Sequence, residues 1–410
     1  MNTVTPTELR TRFASSLSAL YGREVPAYTT LVEVSQEVNA DVIASSGAEA
    51  ERLGSIERVT AERHGAIRVG SPSEIGQVAR IFGACGMYPV GFYDLREANP
   101  PIPVVSTAFR PVDRAELARN PFRIFTSVLV ADDRRFFDRR TEAELREFLD
   151  ARTLFPDELL SLADRMESRG SLSAADADRF LSLATAAFEL SPEPVDRVWY
   201  RRLEEISGVA ADIGGVPSTH INHLTPRVLD IDALYERMSE RGIEMIDRIQ
   251  GPPRTAPGQP DVLLRQTSFR ALSEPRRFRE ADGGVTEGAL RVRFGEVEQR
   301  GVALTPAGRE LYDAHGIGAL PDTETALHEA GLAYYVRDEE GGLSPIVYED
   351  FLPRSAAGIF ASNLTGEGRS DASQRASVRD ASWLRDALGR ELHDPYALYE
   401  AERAAGGVNR

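Results

Sequence analysis

"STHINHLTPRVLDIDALYERMSERGIEMIDRIQG", residues 218–251, decides how this chain folds. "STHINHLT" (218–225) has the apolar, β-branched character of a strand. "DIDALYERMSERG" (230–242) reads as a helix with an acidic start and a glycine stop, and "IEMIDRIQG" (243–251) reads as a strand again. The same order stands earlier in the chain. "HGAIRVG" (64–70) is a strand, "SPSEIGQVARIFGACG" (71–86) a helix with a serine cap and a glycine stop, and "MYPVGFYDL" (87–95) a strand. "PVVSTAFRPV" (103–112) and "FRIFTSVLVAD" (122–132) follow as two more strands, as "DVLLRQTSFRAL" (261–272) and "GALRVRFGEVEQRG" (288–301) do in the later copy. A β-α-β-β-β module therefore occurs twice, over 61–132 and 214–301. Two such modules can close side by side into one curved sheet around a site, an α+β fold.

The remaining segments read differently. Residues 1–60 are two helices, 133–213 a charged helical insertion between the modules, and 302–410 a C-terminal segment contributing to the pocket. We expect residues 1–410 to work as a single catalytic unit.

Composition narrows the chemistry. The net charge of −16 over 410 residues repels phosphate backbones, so no nucleic-acid partner is expected. No apolar run is long enough for a membrane span, and the single cysteine, Cys85, fits a reducing cytoplasm. The chain has no lysine, which removes Schiff-base and P-loop chemistry. Histidine, carboxylate, arginine or a bound metal must do the work.

Polar residues fall at matched places on the two modules. His64 opens the first strand of one; His220 and His223 lie on the first strand of the other. Glu296 and Glu298 share one strand parity with Phe294, which puts carboxylate on an otherwise apolar face. Each signal alone is ordinary, since a histidine opening a strand is usually structural and a glutamate pair ending one is usually solvated. Together, two imidazoles and a carboxylate make the facial triad of non-haem iron, with three positions left open. Residues three apart on a strand face opposite ways, so only one of His220 and His223 can join. Counting back from the glycine stops favours His220: Gly86 follows His64 by 22 residues, and Gly242 follows His220 by 22. Arg68, four residues after His64, shares its face and suits a two-bond grip on a distant carboxylate, or else a salt bridge. His315, His328 and His393 read as surface residues.

"ERHGAIRVG" (62–70), "HINHLTPRVLDID" (220–232), "LLRQTSF" (263–269), "RFGEVEQRGVALTPAGRELYD" (293–313) and "YEDFLPRSAAGIFASNL" (348–364) resemble one family. It is the 2-oxoadipate dioxygenase/decarboxylase, or 2-hydroxyglutarate synthase, family of the vicinal-oxygen-chelate fold group. The resemblance implies Fe(II) and the conversion of 2-oxoadipate and O2 into D-2-hydroxyglutarate and CO2 in lysine catabolism. It implies His64, His223 and Glu296 as metal ligands and Arg68 as a substrate contact, with further contacts from Arg354 (main chain) and Ser355. So it favours His223 over the glycine count. Two departures stand out: Arg354 replaces a more usual aliphatic residue, and the stretch between Tyr312 and Tyr348 is short. Two rivals stay open at this point, a redox-neutral metal lyase or isomerase on the same fold and a diacid-binding protein without turnover.

Overall fold

The computed structural model describes residues 3–256, 258–291, 293–337, 342–363, 370–371 and 373–406. Helix α1 (Pro6–Glu24) begins in a capping box: the Thr5 hydroxyl accepts from the Glu8 amide while the Glu8 carboxylate accepts from the Thr5 amide, and Pro6 presets the first turn. Leu9, Phe13, Leu17, Leu20 and Tyr21 form its buried stripe. Helix α2 (Pro26–Ser46) follows.

The first module folds as its sequence suggests. Strand β1 (Arg63–Val69) leads to helix α3 (Pro72–Ala84), then to strands β2 (Tyr88–Asp94), β3 (Val104–Arg110) and β4 (Arg123–Leu129). Strand β4 lies parallel to β1, and β3 and β2 continue antiparallel beyond it. The insertion is helical throughout its core, with α4 (Arg139–Asp150), α5 (Asp157–Arg169), α6 (Ala174–Ala187), α7 (Arg197–Glu204) and α8 (Gly208–Gly214).

The second module keeps the order but departs from expectation in three places. Strand β5 is only His223–Pro226, because residues 218–222 run in without ladder pairing. After helix α9 (Ile231–Glu240), the expected strand over 243–251 is reduced to single bridges, Met245 to Phe269 and Gln250 to Gln266. The expected strand over 288–301 is broken. Its front part belongs to a hairpin of β7 (Glu274–Arg279) and β8 (Val285–Leu290), which also pairs with Val195–Asp196 of the insertion. Only β9 (Glu296–Arg300) returns to the module, antiparallel to β6 (Leu264–Ser268). Gly295 makes that return possible, since a side-chain carbon there would run into the Phe269 ring.

Strand β5 pairs antiparallel with β1, His64 opposite Thr225 and Ala66 opposite His223, and this joint unites the modules. On its far side Arg227 bridges Glu298 in parallel, so β9 stands to β5 as β4 stands to β1. The duplicated order expected from the sequence is present, with β1 and β5 side by side at its centre.

Candidate metal centre

His64, His223 and Glu296 meet on one face of this joint, each offering a ligand atom within 4.8 Å of the others. All three are buried, at 1%, 3% and 3% exposure. His64 Nε2 lies 3.3 Å from Glu296 Oε1, and His223 Nε2 lies 3.6 Å from Glu296 Oε2. The other ring nitrogens are occupied from behind. His64 Nδ1 is 2.8 Å from Glu298 Oε2, and His223 Nδ1 is 3.0 Å from the Thr225 hydroxyl. Both Nε2 atoms are thereby turned toward the carboxylate, the arrangement in which outer partners orient metal-binding imidazoles. Gln266 donates an amide hydrogen to Glu296 Oε1.

Electrostatics follow from burial and neighbours. Burial works against a charge on His64, but the adjacent Glu298 and Glu296 carboxylates outweigh it and raise its pKa above the usual range. Burial, with the His64 and Arg68 charges, holds His223 well below that range, and burial raises Glu296. Behind His64 stands a buried ionic network. Arg300 grips Glu298 with two bonds of 2.8 and 2.9 Å; Arg123 reaches Glu62 at 2.9 Å and Glu349 at 2.5 Å; Arg227 donates to Glu62 at 2.8 Å. Burial opposes the Glu298 charge, and Arg300 and His64 reverse that and hold it far below its ordinary value. Two imidazole nitrogens and one carboxylate, buried together with their outer partners in place, fit a divalent transition metal with positions to spare. An aromatic wall completes the site: Phe351 stands edge-on to His64 at 5.0 Å and against Phe125 at 5.0 Å, while Phe294 stacks on His223 at 5.3 Å.

His220 is not in the cluster, which corrects the glycine count. The first residue of α3 follows His64 by eight positions, and the first residue of α9 follows His223 by eight. Helix α3 has 13 residues but α9 only 10, so counting back from the stop landed three residues early. His220 is nevertheless buried, 3.1 Å from Asn222 Nδ2 and 3.3 Å from Asp212 Oδ1. Arg68 is also buried, and it donates from Nη1 to Asp212 Oδ2. Ser355 is buried in helix α10 (Pro353–Asn363) and lines a cavity of about 290 Å³ with Gln250, Arg309 and Tyr312. Arg354 falls in the first turn of that helix, and its side chain lies outside the described residues. His315 is exposed, but His328 and His393 are half-buried against Tyr335 and Tyr88, a correction to the surface reading.

Asp212, Gln266 and Phe351 were not singled out from the sequence. Asp212 did leave a trace there, as the one charge in the apolar run "GVAADIGGV" (208–216).

Paired modules with a metal-competent cluster at their joint define the class of this protein: a duplicated α+β fold with its site at the seam. The chain matches in fold a putative glyoxalase superfamily protein from Ralstonia eutropha JMP134, with a TM-score of 0.52 at 21% identity over 73% of this chain and 84% of that one. Within that class the chain belongs to the 2-oxoadipate dioxygenase/decarboxylase family, whose profile matches residues 13–363. It is 59% identical over 408 residues to the 2-oxoadipate dioxygenase/decarboxylase of Mycobacterium bovis, covering 96% of each chain. The crystal structure of the hydroxyglutarate synthase from Pseudomonas putida in complex with 2-oxoadipate superposes with a TM-score of 0.83 at 35% identity, over 99% of this chain and 98% of that one.

Proposed function

We propose that this chain is an Fe(II)-dependent enzyme converting 2-oxoadipate and O2 into D-2-hydroxyglutarate and CO2, acting in the cytoplasm in lysine catabolism. Residues 1–410 work as one catalytic unit, with 61–132 and 214–301 as its modules. The observation that carries this reading is the convergence of His64 Nε2, His223 Nε2 and the Glu296 carboxylate at the joint of a family member. These three residues would hold the metal, and a ferrous ion there supplies the electron chemistry that lets O2 react with a 2-oxo acid.

The chain's own groups set up the reaction. Glu298 and Thr225 fix the two imidazoles, and Gln266 fixes the Glu296 carboxylate, so the ligand face does not rearrange when substrate enters. Phe351, Phe125 and Phe294 keep water from the reacting carbons. Arg68, on the same face of β1 as His64, takes the distal carboxylate of the diacid, and the Arg354 main chain and Ser355 add contacts from the start of α10. The balance closes without another reductant: C1 leaves as CO2, one oxygen of O2 enters the new carboxylate and the other the adjacent hydroxyl.

The test is an aerobic assay of the Fe(II)-loaded protein with 2-oxoadipate. One O2 consumed per CO2 released, with 2-hydroxyglutarate formed, is the expected result. Release of CO2 without O2 uptake would make it a redox-neutral lyase; tight binding without product would make it a binding protein.

A further inference from the structure

The second charged cluster on the joint contains the histidine that the metal does not use. Arg68 pairs with Asp212 of helix α8. The Asn222 amide donates to the same carboxylate oxygen at 3.0 Å and reaches His220 Nε2 at 3.1 Å, while Asp212 Oδ1 stands 3.3 Å from that nitrogen. Asp212, Asn222 and His220 are each 3% exposed or less.

The chemistry gives the cluster a direction. Asn222 spends one amide hydrogen on Asp212 Oδ2 and turns the other toward His220 Nε2, which also lies 3.3 Å from Asp212 Oδ1; that ring nitrogen either accepts from the amide or donates to the carboxylate, and both tie His220 to the pair. Burial, opposed by Asp212 and reinforced by the Arg293, Arg68 and Arg276 charges, pushes His220 down to about 4, so the imidazole is neutral. A neutral imidazole thus holds the amide and carboxylate pair, and the carboxylate holds a guanidinium.

The backbone at Arg68 and at Asn222 is tied to the scaffold. The Thr219 hydroxyl donates to the Arg68 carbonyl at 2.8 Å. The Tyr21 hydroxyl of α1 lies 2.9 Å from the Asn222 carbonyl and 2.7 Å from that of Phe294, and its one proton serves either. An arginine on a long side chain loses much of its freedom when its partner is locked in this way, which lowers the entropic cost of gripping a ligand.

We propose that His220, acting through Asn222 and Asp212, is a positioning residue that aims Arg68 at the distal carboxylate of a diacid substrate. This rests on the function proposed above, in which Arg68 reads that carboxylate. The relay's side-chain bonds run to Arg68 and not to the side chains of His64, His223 or Glu296, so its effect falls on substrate choice.

The test compares His220→Leu, which removes the polar ring, with His220→Gln, which offers another polar group. The Fe(II) enzyme is assayed with 2-oxoadipate and with an unbranched 2-oxo monoacid of equal chain length. His220→Leu is expected to raise KM for the diacid about tenfold, the scale of one hydrogen bond to a charged group. Its kcat, iron content and KM for the monoacid should stay within about twofold of the parent, a change too small to mean a lost bond. His220→Gln should recover part of the loss. In an Arg68→Ala background, His220→Leu should change nothing further, because the relay ends at Arg68. Equal losses on both substrates, additive effects with Arg68→Ala, or loss of iron would each overturn the proposal. If His220→Leu does not fold, Asp212→Asn replaces it in the same cycle. Should the parent fail to turn over 2-oxoadipate, the proposed function falls first. The relay is then judged by binding of adipate against hexanoate to the same variants, where only the diacid should weaken.

Discussion

The two modules share one plan but are built to different standards. In the first, all four strands run seven residues. In the second they shrink to four or five, and one survives only as single bridges. Yet at the joint the register is the same. Arg68 pairs with Ser127 as Arg227 pairs with Glu298, so His64 matches His223, Arg68 matches Arg227, and Phe125 matches Glu296. Strand length can erode, even at the joint, while register cannot, because a one-residue slip there would turn each candidate ligand to the other face. The first module also carries a phenyl ring where the second carries a carboxylate. The cluster therefore has three metal-competent side chains where the repeat has four places.

The largest test of this correspondence is removal of the matched histidines. His64→Ala and His223→Ala should each abolish iron binding and turnover, read by metal analysis and the aerobic assay, while His220→Ala keeps its iron. An iron-free His220→Ala protein would show that the matching is wrong.

Filling the fourth place should be nearly as severe. Phe125→Glu is expected to keep or tighten metal binding and to suppress turnover, because a second carboxylate, as a fourth ligand, takes a position meant for substrate or O2. Undiminished turnover would mean that Phe125 does not face the metal.

The matched arginines should separate next. Arg68→Lys should raise KM for 2-oxoadipate far more than for a 2-oxo monoacid, since a point charge cannot reproduce a planar two-bond grip. Arg227 instead donates to Glu62 and to the Leu53 carbonyl at 2.8 and 2.7 Å. Arg227→Lys should lower the thermal midpoint and spare the KM ratio. If both variants shift that ratio alike, the two arginines are not specialised.

The smallest effect concerns the network behind the joint. Burial pushes the Glu349 carboxyl up, but the Arg58 and Arg123 guanidinium groups outweigh it and bring it down to about 2. A carboxylate depressed on folding contributes stability that is complete above its unfolded value, near 4.5, and is lost as pH falls toward 2. Glu349→Gln should flatten the dependence of the melting temperature on pH across that window, and an unchanged slope would count against the assignment.

These comparisons also mark what could be read from the sequence. The first module was legible because each of its strands is a long apolar run, and its helix is bounded by a serine and a glycine. The β-α-β-β-β order of the second was legible for the same reasons. The break before Gly295 was not, because residues 288–290 look equally fit to extend β9 or to form the hairpin, and only the tertiary pairing chooses. The choice between the histidines hid in a helix one turn shorter. Asp212 was invisible as a partner of Arg68 because 144 residues separate them. Local pattern says which residues form an element and nothing about which distant charge will face it.

The network of Arg123, Arg227 and Arg300 with Glu62, Glu298 and Glu349 has one more consequence. Its cations are all guanidinium groups, which keep their protons in any aqueous milieu a protein survives, and its anions are carboxylates held ionised by them. Such an array behaves as an electret, a solid with polarisation frozen in when it forms. The field it projects onto His64 is written once, by folding, and ambient acidity near neutrality has no lever on it.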